Sequence, residues 1–424
     1  MIEESLTISK RTSNRFFFLI GLGLVLLIVG IFITMNSGGG HHGGGGHEEA
    51  AAAGGHHAIT WVNRLFANLW LNNVYFTGIA VIGLFFGAIQ YVAYAGWSVP
   101  FVRILQSITA YLPFGAAVAL IVFFIGQHQI FHWTDNSLFD TASPNYDPII
   151  AGKAGFLNKP FFIIRMVVFY GAWIYFAWWL RKQSLEEDIN GGLSYYHKSI
   201  RISAMFLVIF GVSSSISAWD WVMSIDTHWF STLFAWYVLS SWLVSGLAVT
   251  TLIAIFLKQN GYLKMLNADH LHDLGKFIFG FSIFWTYLWF SQFMLYWYAN
   301  LPEEVIYFKE RFGMYNDHYS WILLFNLFIN FALPLLVLMT RDAKRQVIML
   351  KIVCFAVLFG HWMDFYLMIM PGTLRGESGL GFMELGTALI FLGVFLTLVT
   401  RKLTSASLIP VNHPFLEESM HHHV

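Results

Sequence analysis

SSSISAWDWVMSIDTHW, residues 213–229, and LFGHWMDFYLMIMP, residues 358–371, each carry an aspartate, Asp220 and Asp364, within or at the end of a long apolar run. An ionised aspartate at a bilayer centre costs about 2.5–3.5 kcal/mol on insertion scales, so it faces a bundle interior, a partner or water. The rest of the chain supplies the lipid-like setting. It is 57% hydrophobic, 18% aromatic and only 11% charged, with mean hydropathy +0.60, against a charged share of about 25% in soluble domains. The formal net charge is zero, and with no basic block there is no electrostatic footprint for nucleic acid.

Roughly 20 apolar residues cross about 30 Å of hydrocarbon, and ten stretches qualify: 15–35, 74–97, 101–126, 160–181, 199–223, 229–257, 275–299, 319–340, 346–370 and 381–400. Runs this long are helices, because barrel strands alternate over about ten residues, and a helix satisfies its own backbone in lipid. The expected fold is an all-α polytopic membrane protein. With the N-terminus inside, 17 of the 24 Lys and Arg residues lie on the cytoplasmic side, and Arg64, Lys153, Lys159, Arg165, Lys309, Arg311 and Arg375 on or near the other. That excess places both termini in the cytoplasm. The first span is long for a signal peptide and no Ala-x-Ala site follows it, so it reads as a retained anchor.

The chain divides into a cytoplasmic N-terminus and anchor (1–35), a Gly/His-rich outer loop and interfacial helix (36–73), a first four-helix bundle (74–223), a second (224–370), and a last helix with a cytoplasmic tail (371–424). A weak repeat relates spans two to five with six to nine. Spans three and seven end in GQHQIFHW and SQFMLYWYAN, and spans five and nine carry AWDWVM and HWMDFY. Two related bundles with an extra helix at each end fit this repeat.

Residues 36–57 are low complexity and are left unstructured; irregular spacing among their five histidines and two glutamates favours a solvated linker over a metal site. Apolar residues at 62, 65, 66, 69 and 70 predict a helix over 59–73 lying along the outer interface. Residues 128–159, with SPNYDP, are expected to cap the outer face or meet a partner, and 301–318 to form a short surface helix. The tail ending in MHHHV is too short to fold alone, and its histidines are assigned no role.

Cys354 is the only cysteine, which excludes a Cys₄ iron–sulfur site and covalent haem c. Only His361 lies well inside a span, so a bis-histidine haem b has no ligand pair. No cofactor or metal is expected in this chain. What remains is a polar lining. Ser213, Ser217, Asp220 and Ser224 share one face about 17 Å long, a stripe able to carry water. His361 and Asp364 are three apart, and Asn326 and Asn330 four apart, within reach on one helix face. Gln292, Tyr296 and Glu384 sit toward outer helix ends, and Arg165 lies one turn into span four. Burial disfavours an ionised carboxylate unless a cation such as Arg165 or His361 pairs with it, and a carboxylate poised between its two states is suited to passing protons. The proton-path candidates are Asp220, His361, Asp364, Asp226, His228, Arg165, Glu384, Ser213 and Ser217. In the structural alternative Asp220 and Asp226 tie helix ends, Arg165 neutralises one carboxylate and Glu384 snorkels.

The run SAWDWVMSIDTHWFSTLFAWYVLSSW, residues 217–242, resembles the segment after the fifth span of ActF subunits of alternative complex III, a quinol:cytochrome c oxidoreductase. These belong to the NrfD-like membrane proteins. The ten spans and the Gly/His-rich first loop are similar too. The resemblance implies two four-helix bundles in a bacterial inner membrane, beside an ActC-like membrane subunit, an iron–sulfur subunit and haem c subunits. Quinol, haem c and iron–sulfur clusters would then be handled mainly by those partners, and this chain would contribute a proton path and scaffold. Asp220, Asp226 and His228 match the motif, and His361 and Asp364 occupy the span-nine position where a path would be sought. Three other readings stay open. One is a quinol-binding catalytic subunit in which His361 and Asp364 bond the quinol hydroxyls; another is a pure scaffold. The third is a secondary transporter, disfavoured because Pro113 and Pro334 kink single spans without a broken helix at a midplane site.

Overall fold

The computed structural model describes residues 4–37, 60–314, 319–374 and 379–423. Residues 38–57, with the metal question raised for their histidines, lie outside the described residues, as does Arg375. Among the described residues the protein is helical, apart from an isolated bridge between Ser5 and Ser407. Ten helices are long and apolar enough to cross a membrane: Lys10–Asn36, Trp61–Val92, Gly96–Ile130, Lys159–Asn190, Leu193–Ile225, Phe234–Gln259, Ala268–Ala299, Ser320–Val337, Val347–Leu374 and Phe382–Leu403. They are called spans one to ten below. The protein is an all-α polytopic membrane protein, as its composition predicts.

Spans two to five pack together, and so do spans six to nine; the two bundles meet where span two lies against spans six and nine. Spans one and ten pair with each other. Small residues let their backbones close in, as in membrane helix pairs generally: a Cβ on Gly386 would sit 2.5 Å from Leu27 N, and one on Gly30 2.5 Å from Met383 N. The bundle seam is equally tight, because a Cβ on Gly78 of span two would fall inside the Trp242 ring of span six, 1.8 Å from Cδ1.

The separate interfacial helix expected over 59–73 is not found. Span two starts at Trp61 and runs unbroken to Val92, buried from Ala67 to Leu84 except at partly covered Leu69. Three asparagines lie within the stretch assigned to the interface, and each bonds across the bundle. Asn68 Nδ2 donates to Glu384 Oε1 at 2.9 Å, Asn72 Oδ1 accepts from Trp362 Nε1 at 2.9 Å, and Asn73 bonds Gly115 O and the Tyr111 hydroxyl, each at 3.0 Å. A polar side chain with an interhelical partner is stable where hydropathy alone excludes it.

Prolines shape two spans. Span three begins as a 3₁₀ turn, Gly96–Phe101, passes through a second, Thr109–Tyr111, and becomes a continuous helix only at Leu112, with Pro113 in its first turn. Proline is tolerated there because its missing N–H has no helical partner to lose. Span eight carries a π-helical turn, Phe328–Ala332, just before Pro334. The ring would otherwise clash with the carbonyl four residues back. Pro371 lies inside span nine.

The tail docks, contrary to expectation. Asn412 Nδ2 bonds the Glu187 and Asp188 carbonyls, Ser419 Oγ meets His270 Nε2 at 3.2 Å, and His422 Nε2 meets Asp273 Oδ2 at 2.7 Å. His413 is buried among the rings of Tyr91, Tyr196 and Phe415. Burial, and then the Arg103 charge, push its imidazole down to about 4.

Replacement of Gly78 by Ala is expected to force Trp242 aside and lower stability by about 1–3 kcal/mol, the usual cost of overpacking. Gly211→Ala, where a Cβ meets nothing within 4 Å, is expected to leave the thermal midpoint of the purified protein unchanged. The tail makes a pH prediction. A free His413 binds a proton near the ordinary value of about 6.5, whereas the docked one resists until about 4. Docking is therefore at full strength above about 6.5 and weakens as pH falls from there toward 4. Amide protection factors over residues 411–416 are expected to drop between pH 7 and pH 5 in the wild type and to stay level in His413→Phe.

Candidate functional site

Four carboxylates stood out in the sequence, and the fold sorts them by partner. In the first bundle Asp220 accepts a two-pronged bond from Arg165, Nε at 2.6 Å and Nη2 at 2.8 Å. The guanidinium is held between the rings of Phe156 and Phe161, each 4.1 Å from its central carbon. Both residues are buried. Such a pair repays its desolvation only through good geometry, and losing one partner strands a buried charge. Glu384 does not snorkel. It is fully buried and receives Arg64 Nε and Nη2, each at 2.7 Å, besides Asn68 Nδ2 and the Gly381 N–H at 2.9 Å.

Asp226 pairs with Arg311 at 2.9 Å. Arg311 comes from the short helix Pro302–Arg311, which confirms a surface helix in that loop. It serves a second need: Pro371 has no N–H, so the Leu367 carbonyl four residues back lacks its helical donor, and Arg311 Nε supplies one at 2.9 Å. Single-sequence reading missed this role; a proline inside span nine facing a loop arginine was the available signal. His228 is half-exposed and bonds Asp147 Oδ2. Burial raises the Asp147 carboxyl, but the His228, Ile150 and Ile149 donors outweigh it and hold it below the ordinary range.

The serine stripe of span five is buried but occupied. Ser213 Oγ accepts from Trp173 Nε1 at 2.9 Å, Ser217 donates to the Ser214 carbonyl, and Ser224 to the Asp220 carbonyl. Hydroxyls that donate back to their own helix are common in apolar helices.

Asp364 is built differently. It is fully buried and accepts hydrogen bonds from the Tyr237 hydroxyl, from Trp285 Nε1 at 2.9 Å and from Asn326 Nδ2 at 3.1 Å. Asn330 Nδ2 extends the chain to Asn326 Oδ1 at 2.6 Å. His361 Nδ1 lies 3.9 Å from Asp364 Oδ2 and shares a 3.0 Å hydrogen bond with Ser241 Oγ, while its Nε2 has no partner. No Lys or Arg pairs with Asp364 among the described residues. Tyr237 and Trp285 were not foreseen, since they come from spans six and seven and only the fold brings them to span nine.

The repeat gives this contrast a direct comparison. Arg165 and Asn326 each stand six residues into their helices, which start at Lys159 and Ser320. Each reaches the aspartate of the next span: Arg165 meets Asp220, and Asn326 meets Asp364. The first bundle places a cation there and the second a neutral amide. Tyr237 also lines a cavity together with Gln292, Tyr307, Arg311 and Leu323. It offers about 20 Å³ to the centres of water molecules, above the roughly 10–15 Å³ one water requires.

Another buried carboxylate, Glu187, lies toward the face that carries the termini, and neither of its oxygens has a partner. Its position beyond the apolar part of span four hid it in the sequence. No group of three or more His, Cys, Asp or Glu side chains suited to a metal occurs among the described residues. No family model matches the chain, and neither does any curated protein.

Arg165→Gln is expected to cost about 3–5 kcal/mol by stranding Asp220. The double variant Arg165→Gln with Asp220→Asn is expected to recover part of that loss. Thermal unfolding of the single and double variants, analysed as a cycle, measures the coupling.

Proposed function

We propose that this chain is a membrane subunit of a quinol-oxidising respiratory complex, in a bacterial inner membrane with both termini in the cytoplasm, and that Asp364 is its proton-handling group. The observation that carries the proposal is the setting of Asp364: a buried carboxylate with three neutral donors, a histidine 3.9 Å away and no arginine. An arginine beside a carboxylate favours its ionised form, whereas neutral donors place no full counter-charge beside it. Tyr237 joins it to the water-sized cavity beside Gln292 and Arg311, the direction in which a released proton leaves. His361 is placed to receive or return that proton.

Residues 217–242 support the respiratory assignment through their resemblance to the ActF type. On this reading haem c, iron–sulfur clusters and the quinol site belong to partner subunits. Asp220, Asp226 and Glu384, each held by an arginine, serve as scaffold. A quinol ring bonded directly to His361 and Asp364 is the less favoured alternative, because the adjoining cavity has room for water and not for a ring.

The test is proton release and turnover in the isolated complex carrying Asp364→Asn. Assembly is expected to survive, with haem-bearing partners still copurifying, while turnover or proton release falls on the order of 10²-fold, typical for loss of a proton-transfer group. Wild-type turnover and proton stoichiometry in that variant would refute the role of Asp364. Isolation of the wild-type chain without haem-bearing partners would refute the complex.

A further inference from the structure

Glu187 and Asp188 are neighbours near the inner end of span four, and the fold treats them oppositely. Asp188 is held by Arg103 of span three and accepts the Val411 N–H at 2.9 Å. Glu187 is fully buried, and neither of its oxygens has a hydrogen-bond partner among the described residues. Arg103 also bonds the Ser184 carbonyl and Gln106 Oε1, each at 3.1 Å, so it reaches Glu187 only through its field. Buried polar atoms without a partner are rare in proteins, and they call for a water or a chemical role.

A cavity brings water to the groups around that side chain. It starts at the turn between spans two and three, at Ala95 and Ser98, and follows span two inward past Tyr91 to Gly87 and Gly83. Tyr91 and Gly83 are about 12 Å apart along the helix. The cavity offers about 30 Å³ to the centres of water molecules, enough for two at roughly 10–15 Å³ each. Two groups in its wall have no partner among the described residues, the Tyr91 hydroxyl and Gln106 Nε2. Tyr91 and Tyr196, both in the wall, feel the charge of Glu187. Ser184, one turn before Glu187 on the same face of span four, comes beside the Tyr91 hydroxyl. The tail covers the remaining side, where Asn412 Nδ2 bonds the Glu187 carbonyl at 3.2 Å and His413 lines the cavity. Arg103, Asp188, Tyr91 and Tyr196 are thus the charged and titratable groups around Glu187, beside a His413 that stays neutral above about 4.

We propose that Glu187 is a proton-uptake site on the face that carries the termini, supplied through this cavity and the Tyr91 hydroxyl. One proton passes from a hydronium ion in the cavity to a Glu187 oxygen, leaving water and a neutral carboxyl group. The Tyr91 hydroxyl both accepts and donates, so it relays the proton without a change in its own charge. Asp188 is not the acceptor, because an arginine in contact favours its ionised form. Uptake, as distinct from exchange with water, rests on the reading of Asp364 as the proton-handling group toward the other face; the route to Glu187 does not.

The test is infrared difference spectroscopy between high and low pH on the purified full chain, with its partners where they copurify, in water and in deuterium oxide. A protonated-carboxyl band is expected that vanishes in Glu187→Gln and persists in Asp364→Asn. Two variants probe the route: Tyr91→Phe removes the hydroxyl, and Gly87→Leu fills the cavity at a position where a Cβ meets only Leu105, at 3.9 Å. Each is expected to keep the band and to slow its deuterium exchange by at least about tenfold. Lack of any band that depends on Glu187 would overturn the site, and wild-type exchange in both variants would overturn the route. If Gly87→Leu fails to fold, Tyr91→Phe decides the route. In the isolated complex, Glu187→Gln is expected to lower turnover by at least about tenfold with the Asp364 band intact; wild-type turnover there would overturn uptake. The infrared measurements need neither quinol nor partners, so a failure of the respiratory assignment leaves them standing and is told apart from a failure of this site.

Discussion

A charge buried between membrane helices has to be matched inside the protein, because lipid offers no solvation. That constraint organises the half of the molecule facing away from the termini. Arg64 joins span two to span ten through Glu384, Arg165 joins span four to span five through Asp220, and Arg311 pins the surface helix to the end of span five through Asp226. Each guanidinium also bonds at least one backbone carbonyl: Gly379, Phe156 or Leu367. The three pairs thus fix the helix ends, and the helix ends fix the geometry within.

Asp364 is the exception that this order exposes. It occupies the place in the second bundle that Asp220 holds in the first, yet the residue reaching it from the preceding span is Asn326. Three neutral donors come from spans six, seven and eight, so four helices must be in register for the site to exist. The packing around it is correspondingly strict. A Cβ on Gly360 would lie 2.2 Å from Asn330 Oδ1, so glycine is required where span nine passes the amide that orients Asn326. Packing of this kind holds a buried polar site in one geometry.

Much of this was legible in the sequence because lipid imposes simple rules. Ten apolar runs, two intramembrane aspartates and the i, i+3 relation of His361 to Asp364 are visible without a fold. The partners were not, because spacing along one helix says nothing about which loop arginine reaches it. Arg64 and Arg311 read as outer-loop charges, and the alternative in which Glu384 snorkels failed for that reason. Hydropathy misplaced the start of span two, since Asn68, Asn72 and Asn73 look exposed until their interhelical bonds are seen. The tail was undervalued similarly: His413 and His422 reach Tyr91, Tyr196 and Asp273, more than a hundred positions away.

The account rests on Asp364 changing its protonation while the arginine-paired carboxylates do not. Infrared difference spectroscopy between high and low pH on the purified protein reads this directly, through the carbonyl stretch of a protonated carboxyl group. The account predicts a band from a buried carboxyl that disappears in Asp364→Asn and persists in Asp220→Asn, with Glu187→Gln separating any contribution from the other face. A spectrum unchanged by Asp364→Asn, with its buried-carboxyl band lost instead in Asp220→Asn, would contradict it.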